Sequence, residues 1–274
     1  MSRIPNKILL VTAQGQKYQT AQQLAVDFQA VFSTSGIQSD LVDSGAAYDL
    51  AVAVGGDGTM MKTVTELAPR HIPTLGINAG DVGFLTSAEA VDWEAVARRV
   101  VAGEYEIEER LGLQLVGVGQ TLAPIANEVV LRHSTSVAKY QIAIGGQVFY
   151  QDLMGDGVLV ATATGSTGYN TSAGGPIMLP GSGNVVVTPL NPMALTTRSI
   201  VSQELADGKS IVITLLESKR VEPVKVIADG RLLDNGLTVG DSVVITKYEH
   251  SLLFATFGLA QYARALTEKK GFAR

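Results

Sequence analysis

The stretch from Asp49 to Val54 reads DLAVAV and stops on Gly55-Gly56-Asp57-Gly58-Thr59. A strand that is apolar on successive residues buries both faces, the condition of an inner strand in a parallel sheet covered by helices on either side. Neighbouring segments fit that sheet. KILLVTA, Lys7 to Ala13, is a short apolar strand. Tyr18 to Gly36 sets Leu24, Phe28, Val31 and Phe32 at helical spacing and ends on glycine. QSDLVDS predicts a second short strand. A helix is expected from Thr59 to about Leu67, closed by Pro69, then a strand in HIPTLGINAG and a helix in VDWEAVARRVVAGEY. Strand alternating with helix argues for a doubly wound α/β domain.

After about Tyr105 the pattern changes. EVVLRH, YQIAIGGQVFY, GVLVATAT, NVVVTPL, SIVITLL, PVKVIADG and DSVVITKYEHSLLFATF are β-type runs separated by Gly, Pro, Asn and Asp. They predict an all-β sandwich. Helical character returns in LAQYARALTEKKG, Leu259 to Gly271. The expected organisation is an α/β domain over residues 1–100, a β-sandwich over 101–258 and a C-terminal helix over 259–274 packing back.

A length of 274 residues lies near the size at which one core divides into two domains. The chain has no cysteine, so thiolate metal sites and disulfides are excluded and a reducing, cytoplasmic compartment is expected. His71, His133 and His250 are scattered without ligand spacing. The metal such a chain can use is a hard cation shared between carboxylates and ligand phosphates. A formal charge of -5 with no basic patch argues against nucleic acid, and no apolar run reaches membrane-spanning length. The run ILLV near the N-terminus is too short for a signal-peptide core and reads as a strand.

Gly55-Gly56-Asp57-Gly58-Thr59 falls between the end of a strand and the start of a helix, where open α/β sheets bind ligands. Glycines let backbone approach a phosphate, the helix start offers free N–H groups, and Thr59 is a candidate cap. A carboxylate repels phosphate, so Asp57 needs another duty: holding a metal or accepting the proton of an attacking hydroxyl. The plain alternative is an ordinary strand-to-helix turn. Gly155-Asp156-Gly157 leads into VLVATATGSTGYNTSAGG, whose hydroxyls on a glycine-rich bend suit sugar and phosphate oxygens, or a polar turn. Asn127 and Glu128 start a strand. Neighbours on a strand face opposite ways, so both can serve one ligand only if the backbone begins or bends there. Asp229 sits at a strand end in IADG.

The order of GGDGT, then Asn-Glu, then Gly-Asp-Gly, then ATATGSTGYNTSAGGP resembles the NAD kinase family, and INAGDVGFLT, Ile77 to Thr86, is similar to that family's following segment. The resemblance runs from about Asp49 to Phe257. GGDGT is shared with diacylglycerol, sphingosine and 6-phosphofructokinases. The long Thr-Gly-Ser-Thr stretch ending in Gly-Gly-Pro selects NAD kinase. The resemblance implies a phosphotransferase that moves a phosphoryl group from ATP, or another donor, to the adenosine-ribose 2′-hydroxyl of NAD, with Mg²⁺ or another divalent metal. It implies that Asp57 activates that hydroxyl and that Gly58 lies against the dinucleotide. Asn127 and Glu128 would hold ribose hydroxyls, and Asp156 a base or amide. Thr167, Gly168, Tyr169, Asn170, Thr171 and Ser172 would surround the adenine, with Asn191 and Asp229 near the nucleotide. It also implies a homotetramer or homodimer. Met154, Ala163 and Gly168 depart from the usual pattern, which has a basic residue, Pro and Ala there. A lipid kinase of the same superfamily would need membrane-facing apolar or basic surface. A non-catalytic dinucleotide sensor would keep Asn127, Glu128 and Tyr169 but could dispense with Asp57.

Overall fold

A computed structural model describes residues 4–13, 19–80, 83–117, 119–205, 207–233 and 235–269. Two compact units divide the chain: Met1–Glu109 together with Leu252–Arg274, and Arg110–Ser251.

The first unit carries β1 (Lys7–Thr12), α1 (Gln19–Thr34), β2 (Gln38–Asp40), β3 (Leu50–Gly55), α2 (Asp57–Leu67), β4 (Thr74–Asn78), β5 (Ala88–Glu89), α3 (Trp93–Val101) and β6 (Glu106–Arg110). β1 lies between β2 and β3, and β3 between β1 and β4, all parallel. Successive strand residues face opposite helices. Ile8, Leu10, Leu50, Val52 and Val54 pack with Leu24, Phe28 and Phe32 of α1 and with Val96 and Val100 of α3. Leu9 and Ala51 pack on the other face with Leu67 of α2. Phe28 and Trp93 meet edge to face, ring centres 5.7 Å apart, and join α1 to α3. Helices on both faces explain why LAVAVG is buried at every position.

The second unit is two antiparallel six-stranded sheets. Its strands are β7 (Leu113–Gly117), β8 (Gln120–Ile125), β9 (Glu128–Arg132), β10 (Ala138–Ile144), β11 (Gln147–Gly155), β12 (Gly157–Thr162), β13 (Val185–Leu190), β14 (Ile200–Ser202), β15 (Ile211–Ser218), β16 (Lys225–Ala228), β17 (Arg231–Leu232) and β18 (Ser242–Lys247). One sheet runs β11-β10-β15-β18-β7-β8 and the other β14-β13-β12-β9-β16-β17. Alternate residues of both, including Leu115, Tyr140, Ile213 and Ile245 against Val129, Leu131, Val160 and Val226, form one shared core. The expected sandwich is present. On the outer face of the second sheet Val130, Leu159, Ala161 and Val186 pack with Ala163 and Met178 from the glycine-rich segment. β12 is therefore buried on both faces. Ala163, one of the departures, fills this apolar cluster.

Two expectations need correction. The last strand of the predicted sandwich, β19 (Leu252–Thr256), lies in the first unit instead, parallel to β4 with Phe254 opposite Thr74 and with β6 beyond it. Ser87 Oγ holds it by donating to Ala255 O at 2.8 Å. An apolar run such as LLFAT does not distinguish a sandwich strand from an inner strand of a parallel sheet. The terminal helix is shorter than predicted: α5 (Leu259–Arg264) gives way to a π-helical turn over Ala265–Lys269, and residues 270–271 of the expected helix lie outside the described residues.

Candidate active site

In the first unit the chemistry gathers where β3 and β4 end. Gly56 is the N-cap of α2 in an extended conformation, and no side chain caps the helix. Thr59 is thus not the cap: the helix begins two residues earlier than predicted, and Asp57 is its first residue. Asp57 opens the helix with a negative charge, which suits the positive end of the helix dipole. Its carboxylate faces the loop between β4 and β5. Oδ2 accepts from Phe84 N at 3.0 Å and Oδ1 from Leu85 N at 2.8 Å. Asn78, at the end of β4, accepts from Gly80 N through Oδ1 at 3.1 Å and donates to Glu89 Oε2 at 2.9 Å. Asp81 and Val82, inside the motif after β4, lie outside the described residues.

The glycines have different duties. A Cβ at Gly55 would collide with the side chain of Thr59, so this glycine is required by the strand-to-helix packing. A Cβ at Gly56 or Gly58 would meet no protein atom within 4 Å. Neither has a positive φ. The backbone and the packing tolerate a side chain at both positions, yet the space beside Asp57 is left open.

In the second unit Glu128 begins β9 and Asn127 lies just before it, so the pair sits where the strand starts and strand alternation does not bind both side chains. Asp229, in the left-handed region at φ 45, turns its carboxylate onto this start. Its Oδ2 accepts from Ala126 N at 2.7 Å, and its Oδ1 from Asn127 N at 2.8 Å and Glu128 N at 3.2 Å. Asp229 therefore holds the backbone at the start of β9. Burial raises its pKa against the pull of these three amides. Glu128 is pushed up to about 7, first by burial and then by the charge of Asp229. Its Oε2 is buried with no hydrogen-bond partner among the described residues. The vacant Cβ position of Gly168 lies 3.5 Å from that oxygen, so glycine in place of alanine widens the space beside Glu128.

The glycine-rich segment splits into inward and outward residues. Asn170 is fully buried. It donates to Ser166 O at 3.1 Å and Pro176 O at 2.9 Å and accepts from Thr188 Oγ1 at 2.7 Å. Both of its N–H donors are spent within the protein and the side chain is buried, so Asn170 holds the bend. Thr171 Oγ1 donates to Ser166 O at 2.7 Å, again holding the bend. Thr167 is buried, whereas Gly168, Tyr169 and Ser172 are exposed.

A third group surrounds Asp156, between β11 and β12. A Cβ at Gly157 would collide with the carbonyl of Leu131 on β9, so glycine there lets the strands close on this turn. Asn191, at φ 43, donates from Nδ2 to Asp156 Oδ2 at 2.8 Å. Asn tolerates the left-handed region, and from there Asn191 orients the carboxylate. Asp156, Asn191, Tyr169 and His133 line a cleft of about 440 Å³. Met154, the other departure, contributes its carbonyl to Met193 N at 2.9 Å. Sequence reasoning passed over His133 as a scattered histidine, and it missed Phe84 and Leu85, whose only signal was their place in the INAGDVGFLT motif. Tyr140 also has a buried hydroxyl without a partner among the described residues, its pKa raised by burial and by the charge of Asp156.

No group of three His, Asp or Glu side chains that could hold a metal ion comes together among the described residues. No helix among the described residues is long and apolar enough to cross a membrane.

An α/β unit with a carboxylate at the mouth of its sheet and a β-sandwich with paired polar clusters define a nucleotide-handling kinase class. The family model described as the ATP-NAD kinase N-terminal domain matches residues 9–105, and that of the C-terminal domain residues 126–256. An NAD kinase of Caldicellulosiruptor bescii is 31% identical over 253 residues, spanning 91% of this chain and 94% of its own. An NAD kinase of Pseudomonas aeruginosa is 38% identical over 221 residues, 76% of this chain and 70% of its own. Two solved structures share the fold. Yeast NADH kinase complexed with NADH has a TM-score of 0.81 at 22% identity, covering 98% of this chain and 89% of its own. An NAD kinase from Archaeoglobus fulgidus in complex with ATP has a TM-score of 0.73 at 23% identity, covering 96% and 98%. The chain belongs to the ATP-NAD kinase family. Its activity is the phosphorylation of NAD at the expense of ATP.

Proposed function

We infer that the transfer is to the 2′-hydroxyl of the adenosine ribose and that Asp57 takes up the hydroxyl's proton. The observation that carries this is the open space at Gly56 and Gly58 beside a carboxylate at the sheet mouth. An ionised carboxylate offers about four acceptor sites, and the amides of Phe84 and Leu85 use two. Asp57 is thus fixed in direction while keeping acceptor capacity for a hydroxyl. Fixed direction matters because phosphoryl transfer depends on positioning and charge stabilisation more than on covalent chemistry by the protein. Glu128 Oε2, buried and unpartnered, serves as acceptor for a ribose hydroxyl, and the exposed Gly168, Tyr169 and Ser172 form the surface over which the nucleotide lies. A divalent cation would reach the reaction on the nucleotide's phosphates, neutralising charge there.

A coupled assay for NADP, with ATP and inorganic polyphosphate as donors in turn, tests the reading. NADP formed from NAD and ATP is expected, and loss of the product signal when the 2′-hydroxyl is replaced by hydrogen fixes the acceptor. Phosphorylation of the 2′-deoxy substrate would sink the assignment. We also infer a cytoplasmic homodimer or homotetramer. Mass photometry should then show two or four times 28.8 kDa, and a single-chain species alone overturns it.

A further inference from the structure

We propose that NAD binding at Glu128 releases a proton, and that Asp229 is the positioning residue that couples the two through the charge it holds at the start of β9. This rests on the reading of Glu128 as the acceptor of a ribose hydroxyl, and it adds to that reading a dependence of substrate affinity on pH.

Asp229 sets its carboxylate on the backbone of Glu128 itself. Oδ1 accepts from Glu128 N at 3.2 Å and from Asn127 N at 2.8 Å, and Oδ2 accepts from Ala126 N at 2.7 Å. Three converging N–H donors favour the ionised form. These amides and the charge of Arg231 on β17 oppose the rise that burial brings to Asp229. Glu128 thus has a negative charge at its root, and its own carboxyl lacks such support. Oε2 is buried and accepts no hydrogen bond among the described residues. No described neighbour brings a cation to it: β12 sets Ala161 opposite Glu128, and the glycine-rich bend brings Gly168, whose absent Cβ would stand 3.5 Å from Oε2, followed by the exposed Tyr169. Burial, and then the charge of Asp229, raise the carboxyl to about 7.

A ribose hydroxyl supplies the donor that the protein withholds. Glu128 is only partly buried, and the terminal torsion of a glutamate is broad, so either oxygen can turn to a ligand. A hydroxyl that donates to this carboxyl favours the ionised form and lowers its pKa. In the free chain below about pH 7 the carboxyl keeps its proton. Binding exchanges that O–H for a carboxylate accepting from the ribose, and the proton passes to water. Affinity for NAD therefore rises with pH towards 7 and levels off above it, because past that point there is no proton left to expel. The contact that recognises the ribose is thereby also a sensor of acidity, set by a residue one strand away.

Calorimetry of NAD binding in buffers of different ionisation enthalpy counts the proton. The unaltered chain should release about one proton per NAD at about pH 6 and almost none at about pH 8, with affinity about tenfold higher at the second pH. Glu128→Gln should release none and bind with an affinity flat in pH. Asp229→Asn removes the charge and should move the rising part of the affinity curve to lower pH, whereas a merely structural loss would weaken NAD equally at every pH. An unmoved curve in Asp229→Asn rejects Asp229 as the source of the coupling. Heats of the unaltered chain that do not depend on buffer, with Glu128→Gln still weakened, overturn the proposal and spare the ribose contact. Glu128→Gln with unaltered affinity at every pH rejects that contact and the proposal with it. Carbon NMR of the unaltered chain with labelled glutamate carboxyls covers the case in which the variants do not fold. One resonance should titrate near 7 and move to its ionised position on saturation with NAD at about pH 6. Glutamates that all titrate in the ordinary range overturn the proposal.

Discussion

Leu85 donates its backbone N–H to Asp57 Oδ1 at 2.8 Å, while its neighbour Phe84 donates to the other oxygen. The residue at the reacting end of the first unit therefore also fastens the segment after β4 to the start of α2. Asp57→Asn replaces one acceptor oxygen by an NH₂, which cannot accept, so one of the two bonds is lost. A stability cost of about 1–3 kcal/mol is expected. Turnover measured well below the melting temperature should fall by roughly 10²–10⁴, the worth of a positioned base. A destabilised variant with near-normal turnover would leave Asp57 as a fastener only.

Gly58 separates ligand space from protein space. Alanine there meets no protein atom, and the position lies in the first turn of α2. Gly58→Ala should raise stability by about 0.4–1 kcal/mol through the unfolded chain. The added methyl should displace the nucleotide and lower kcat/KM by roughly 10–100-fold. Denaturant titration and steady-state kinetics on one preparation check both signs. Unchanged kinetics would show that nothing approaches the helix start at this point.

The raised pKa of Glu128 has a definite sign. Its folded value of about 7 exceeds the ordinary 4.5. Between these values the folded chain keeps a proton that the unfolded chain has released, so stability falls as pH rises from 4.5 to 7 and the penalty is complete above 7. Glu128→Gln removes the ionisation. It should be more stable than the parent at pH 8 by up to roughly 3 kcal/mol, with the difference shrinking towards pH 4.5. The same variant should bind NAD more weakly, because an amide lacks the charge that strengthens a bond to a ribose hydroxyl. Parallel stability curves for the two proteins across this range would contradict the burial argument.

Asp229 is expected to act on order at the start of β9. Asn keeps the left-handed backbone available but offers one acceptor oxygen where three amides converge. Asp229→Asn should cost about 1–3 kcal/mol and speed hydrogen exchange at Ala126, Asn127 and Glu128. Unchanged protection at these amides would mean that the three bonds contribute little.

Much of the fold was legible because local pattern and burial agree. Leu24, Phe28 and Phe32 read as one helix face and pack as one, and the unbroken apolar run of β3 is covered on both sides. The site was legible as segments but not as directions. Asn170 and Tyr169 are neighbours in a polar bend, yet one is consumed by Thr188, Ser166 and Pro176 and the other faces outward. Asp229 looked like a turn residue because the amides it binds lie about a hundred positions away. His133 gave no pattern at all: the bond that Thr135 donates to its Nδ1 and the burial of its ring appear only in the folded chain. The bonds of Asp229 join segments distant in the chain, and the burial of Asn170 and His133 comes only with the packed fold, which a single strand or turn does not record.

The place of β19 also bears on how the chain is made. A ribosome releases residues in order, so Arg110–Ser251 has been synthesised before Leu252–Thr256 emerges. Until then β4 lacks the neighbour that lies between it and β6. The unit begun first is thus completed last, and the β-sandwich is free to mature while the parallel sheet awaits its closing strand. Released chains ending at residue 251 should accordingly resist protease over the sandwich and be cut within the first hundred residues, with resistance there arriving only in chains that extend through β19.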